Sequence, residues 1–110
     1  LKTMFATVLD MLGELQTALR EENAEKATSV TDNDDLLDRI NKASTGILAE
    51  YAAAHQDAFP LCLGLSSVFR KLERTGDHLT NIAEEIVFYI DAKVIKHDEA
   101  QMAAKAKEAR

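Results

Sequence analysis

The stretch His55-Gln56-Asp57-Ala58-Phe59-Pro60 holds the single proline of the chain and separates two long runs of helical periodicity. Asp57 is suited to cap a helix that follows, because its carboxylate can accept from the unpaired amides of a first turn. Pro60 is tolerated only in that first turn, where its missing N–H costs no hydrogen bond. Downstream, Leu61, Leu65, Val68, Leu72, Leu79, Ala83, Ile86 and Ile90 recur at three- and four-residue steps and form one apolar stripe. Gly76 falls on the same stripe, where a missing side chain lets a neighbouring helix come close. Upstream, Val30, Leu37, Ile40, Ile47, Leu48 and Tyr51 give a segment from about residue 24 to Ala54 its apolar face. Thr31-Asp32-Asn33-Asp34 resembles a helix start, yet the periodicity passes through it, and a continuous helix is expected.

Farther out, Leu1, Met4, Phe5, Val8, Leu9, Leu12, Leu15, Ala18 and Leu19 mark a first helix, which closes at Arg20-Glu21-Glu22. Asn23 is placed to cap the next one. After Asp91 the pattern loosens, and Asp98 is placed to start a short Ala/Lys/Glu-rich helix ending at Arg110. Short connections make neighbours antiparallel. The expectation is all-α: an antiparallel up-down-up three-helix bundle over residues 1–97, with a charged, helical C-terminal tail over 98–110.

Composition narrows the function. A chain of 110 residues holds one modest core, and 46% hydrophobic with 29% charged residues are globular proportions. The net charge of −6 opposes nonspecific nucleic-acid binding, which needs a basic face. One cysteine, Cys62, makes no internal disulfide and reads as a small core residue. No run of about 18 apolar residues is present to span a membrane, and no export signal appears. Leu1 is not a start methionine, so the chain is expected to be a piece of a longer one.

Two acid pairs stand out. Asp34 and Asp38 lie i, i+4 on the second helix, as do Glu73 and Asp77 on the third. That spacing puts like charges on one face, one turn apart, and opposes the helix by a few tenths of a kcal/mol. At about 100° per residue, Asp77 lies about 40° from Glu73, Asn81 about 80° and Glu84 about 20°, all at the margin of the apolar stripe. Heights agree as well. In an antiparallel hairpin, facing residues have numbers with a constant total. The two pairs centre on residues whose midpoint falls between His55 and Gln56, at the turn. Four carboxylates at one level make a hard-oxygen site, suited to Mg²⁺, Mn²⁺, Fe or Ca²⁺. The plainer reading is a solvated acidic face on a helical interaction module. His78 sits on the flank of its helix, and Arg74 reads as a partner in a surface ion pair. No nucleophile or base stands beside the acids to make a metal-dependent hydrolase.

The run Leu72-Glu73-Arg74-Thr75-Gly76-Asp77-His78-Leu79-Thr80-Asn81-Ile82-Ala83-Glu84 resembles the signature of the PhoU family, an acid-Arg-x-Gly-Asp-His block followed by Asn-Ile-Ala-Glu. The family's Asp-x-x-x-Asp in the preceding helix is matched by Asp34 and Asp38. Thr75 departs from the usual aliphatic residue, and Asp91-Ala92-Lys93 replaces a turn that usually contains glycine. The resemblance covers essentially the whole chain, but only one of the family's two three-helix repeats, most like the C-terminal one. It implies half of a six-helix tandem and a non-enzymatic, cytoplasmic, often homodimeric regulator. Such a protein couples a phosphate ABC transporter to a sensor histidine kinase, and it meets the membrane only through its partners. It also implies a multinuclear metal cluster, of iron or zinc, with manganese or magnesium as alternatives. Carried over, Asp34, Asp38, Glu73 and Asp77 become ligands, with Asn81 and Glu84 as second choices. The same resemblance leaves open a PhoU-like cytosolic domain of a sodium/phosphate cotransporter.

Overall fold

The computed structural model describes residues 1–108. Helix α1 spans Lys2–Glu21 and ends at Glu22, whose backbone takes the left-handed conformation at φ 53°. That turn lets the amides of Glu22 and Asn23 bond back to the last carbonyls of α1, satisfying groups that would otherwise be orphaned. Asn23 then caps the next helix as its sequence suggests, its side chain accepting from the amide of Lys26 at 3.0 Å. Helix α2 covers Ala24–Ser29 and helix α3 covers Asp32–Ala54.

The expected single helix over 24–54 is therefore interrupted. Val30 and Thr31 keep right-handed helical dihedrals. Their amides nonetheless reach only three residues back, to Ala27 and Thr28, as do those of Asn33 and Asp34. The chain tightens for one turn before α3 begins. The Thr31 hydroxyl bonds to the carbonyl of Thr28 at 2.8 Å, the local competition that makes such residues poor helix interiors.

Asp57 does not cap; it lies inside a 3₁₀ turn, Gln56–Ala58, that feeds directly into helix α4, Phe59–Glu108. Pro60 sits in the first turn of α4, as required. Helix α4 is 50 residues long and passes through Asp98 without a break, so the tail is not a separate helix. Nothing between Asp91 and Glu108 stops it: Ala, Lys, Glu and Gln are good helix formers, and glycine and proline are absent. The expected end at Arg110 lies outside the described residues.

The architecture is all-α, with α1, the α2–α3 pair and α4 packed together and no strand among the described residues. The core is a seam of Met4, Met11, Leu15 and Ala18 from α1, Ala27, Val30 and Leu37 from the middle, and Phe69, Leu79, Ala83, Ile86 and Ile90 from α4. Each large side chain fully removed from water there contributes roughly 1.5–3 kcal/mol. Helix α1, at 20 residues, is about 30 Å long against about 75 Å for α4, and cannot cover the hairpin of α3 and α4 end to end. Ile47, Tyr51, Phe59 and Leu61, near the hairpin turn, consequently stay exposed. At the other end every described residue from 91 to 107 is exposed, and an ion pair from Lys93 to Glu22 marks where α4 leaves the bundle. The whole measures 82 × 16 × 15 Å.

Candidate functional site

Helices α3 and α4 run antiparallel, and their closest approach is set by Gly76. It is buried, and a β-carbon there would overlap Leu37 Cδ1 and lie 3.7 Å from Asp34 Oδ1. The missing side chain of α4 is thus filled by α3. This brings the acid-bearing faces of the two helices into contact. Asp34 faces Asp77 and Asp38 faces Glu73 across the seam, and the paired residue numbers have the same total. The sequence register holds residue for residue.

Burial pushes the Asp34 carboxyl up to about 6, helped by its hydrogen bond to Asp77 and by repulsion from Asp77, Asp35 and Glu73. Glu73 is raised too, first by burial and then by Asp38 and Asp77, while a hydrogen bond from the Asn41 amide opposes the shift. Asp38 moves the other way, because Lys42 donates to it from 3.0 Å, one turn along α3. Asp34 Oδ1 is buried with no hydrogen-bond partner. Leaving such an oxygen unpaired costs about 1–3 kcal/mol.

The donor set fits a hard cation in kind: carboxylate oxygens, one of them orphaned, meeting across a helix seam. As they stand the acids meet two by two. No group of three or more His, Cys, Asp or Glu side chains among the described residues is gathered to hold one ion. Asn81 and Glu84 are exposed and lie farther along α4, away from the hairpin turn. Glu84 lines a different cleft, with Thr28 and Thr31. The structure thus brings together Asp34, Asp38, Glu73 and Asp77 and leaves the two second choices outside. His78 is exposed on the flank, as its phase indicates.

Sequence reasoning overlooked Asn41, although its spacing of i+3 from Asp38 and i+7 from Asp34 put it on the same face. It also missed a cleft of about 550 Å³ beside the acids, lined on α4 by Ser67, Arg70, Lys71 and Arg74 as well as by Asn41, Glu73 and Asp77. The ion pair expected of Arg74 is not formed among the described residues. Its neighbouring acids are turned toward α3 instead.

Comparison with known proteins identifies the family. The PhoU domain family matches residues 1–86. A "Phosphate-specific transport system accessory protein PhoU homolog 1" from Thermotoga maritima is 30% identical over 96 residues, 87% of this chain and 41% of the relative. PhoU homologs from Deinococcus radiodurans (29% over 90 residues) and Pseudomonas aeruginosa (31% over 90 residues) each align with 82% of this chain and with 42% and 37% of their own lengths. The chain spans about two fifths of the length of these relatives. No solved structure matches it.

Proposed function

This chain belongs to the PhoU family, and from that premise we propose that it is a metal-responsive regulatory domain of phosphate uptake and phosphate-starvation signalling. It acts by protein–protein contact with a phosphate ABC transporter and a sensor histidine kinase, on the cytoplasmic side, without catalysing a reaction. The relatives' description as accessory proteins of a phosphate-specific transport system supports the setting. No described helix is long and apolar enough to cross a membrane, so contact with a transporter would run through its soluble surfaces.

The observation that carries the metal reading is the pair of facing carboxyl–carboxyl contacts, with Asp34 Oδ1 buried and without a partner. Asp34, Asp38, Glu73 and Asp77 would hold the ion, which when bound supplies the positive charge this level of the seam lacks. Neutralising the acids tightens α3 against α4 at one height. That change in the hairpin is what a partner docked along it would sense.

The test is thermal unfolding with and without Mn²⁺ or Fe²⁺. A cation that binds only the folded state stabilises it by about 2.7 kcal/mol when free metal stands a hundredfold above Kd. The double variant Glu73→Gln/Asp77→Asn should match or exceed the parent when metal-free and ignore added metal. Glu50→Gln, an exposed change elsewhere on α3, should keep the full response. If the double variant gains as much from metal as the parent, the acids are a solvated face of a plain interaction module.

A further inference from the structure

Arg70, Lys71 and Arg74 lie with Ser67 at i, i+3, i+4 and i+7 on one face of α4, around the cleft of about 550 Å³. None of the three cations pairs with a carboxylate among the described residues, although Glu73 and Asp77 are beside them in sequence. The reason is geometric. Glu73 is engaged by Asp38 and Asn41, and Asp77 by Asp34, so both acids point across the seam. Arg70 and Arg74 therefore face each other at i, i+4 with no ion pair among the described residues to offset their repulsion. In a protein of net charge −6, this cleft carries three cations against two carboxylates.

A second, independent feature lies in the wall of the same cleft. The amide of Asn41 donates to Glu73, which leaves Asn41 Oδ1 buried and without a hydrogen-bond partner. It is an acceptor in need of a donor. The cleft thus offers guanidinium and ammonium donors for anionic oxygens and a serine hydroxyl, and a turn of the Asn41 side chain in its wall would add one acceptor that no fully deprotonated anion can satisfy.

We propose that this cleft binds inorganic hydrogen phosphate, its oxygens held by Arg70, Lys71 and Arg74 and its remaining O–H donated to Asn41 Oδ1. Sulfate has no proton to give at neutral pH. A phosphate monoester, whose second pKa lies near 6, has mostly lost its own. Both have the charge for the arginines and both leave Asn41 unsatisfied, with carboxylates close by to repel them. The inference rests on the cations and the amide, not on a metal in the neighbouring seam.

Isothermal titration of the protein, stripped of metal on a chelating resin and held at constant ionic strength and pH 7, tests it. Inorganic phosphate should bind at one site, with sulfate and phosphoserine at least tenfold weaker. Arg70→Gln/Arg74→Gln, changes at exposed positions that leave the core untouched, should weaken phosphate at least tenfold. Asn41→Ala should bring phosphate down to the level of sulfate while sulfate itself is unchanged. Absence of phosphate binding, equal binding of phosphate and sulfate by the parent, or an arginine variant that binds like the parent would each overturn the assignment. Preferential binding of phosphoserine would assign the cleft to a phosphorylated partner instead, and would overturn it too. Because no metal is present, these results are independent of the fate of the metal reading.

Discussion

Replacing Asp34 with Asn keeps the shape of the side chain and removes one charge from the seam. The structure sets the magnitude. Asp34 is drawn from 3.8 up to about 6 in the folded protein, and each unit of such a shift is worth about 1.36 kcal/mol, so the ceiling is about 3 kcal/mol. Asp77, its partner, is exposed, and screening by solvent brings the working figure to about 1 kcal/mol. The sign follows from the direction of the shift. Below about pH 4 the carboxyl is protonated in the folded and unfolded chain alike, and parent and variant should be equally stable. Between about pH 4 and 6 the unfolded chain gives up its proton first, so the parent loses stability progressively as pH rises. Above pH 6 the loss is complete, and Asp34→Asn should be the more stable by about 1 kcal/mol. Urea titrations at pH 4 and pH 7.5 measure it, as a midpoint difference of roughly 0.5 M that appears only at the higher pH. A difference of the same size at both values, or a parent that is the more stable at pH 7.5, would refute the account of the seam.

Two other substitutions probe the scaffold. Gly76→Leu should destabilise by roughly 1–3 kcal/mol, because it forces α4 away from Leu37 and Asp34; a raised melting temperature would show the helices are not in close approach there. Asn23→Ala removes the one side-chain cap at the start of α2 and should cost about 1 kcal/mol in chemical denaturation, with no effect on metal or phosphate binding.

Much of this fold is legible in the residues, and the failures have causes. The turn at His55–Pro60 fixes the hairpin, and a constant total for facing residues then places Asp34 opposite Asp77 and Asp38 opposite Glu73. Gly76 reads correctly because an apolar stripe with a hole in it must be filled by a neighbour. Which apolar residues are buried is less legible. In α1, Met4, Met11, Leu15 and Ala18 enter the core while Phe5, Leu9, Leu12 and Leu19 stay outside, since the apolar arc is wider than the seam it serves. Cap signals misled twice. Asp98 has the chemistry of a cap but no break in the chain before it, and the break before Asp57 falls two residues earlier, at His55, so that Asp57 already lies inside the 3₁₀ turn. The cleft was hidden for another reason. Sequence sets Arg74 beside Glu73 and Asp77, whereas tertiary contact turns their carboxylates toward α3.

The length of α4 has a hydrodynamic consequence. A radius of gyration of 21.4 Å compares with about 13 Å for a compact chain of 100 residues, and equals that of a compact chain of roughly 400. A solitary molecule of 12.2 kDa will therefore elute early from a sizing column and tumble slowly and anisotropically in solution. Stokes radius and mass are decoupled in this rod. Light scattering, which weighs the particle instead of timing its diffusion, is the measurement that counts its copies.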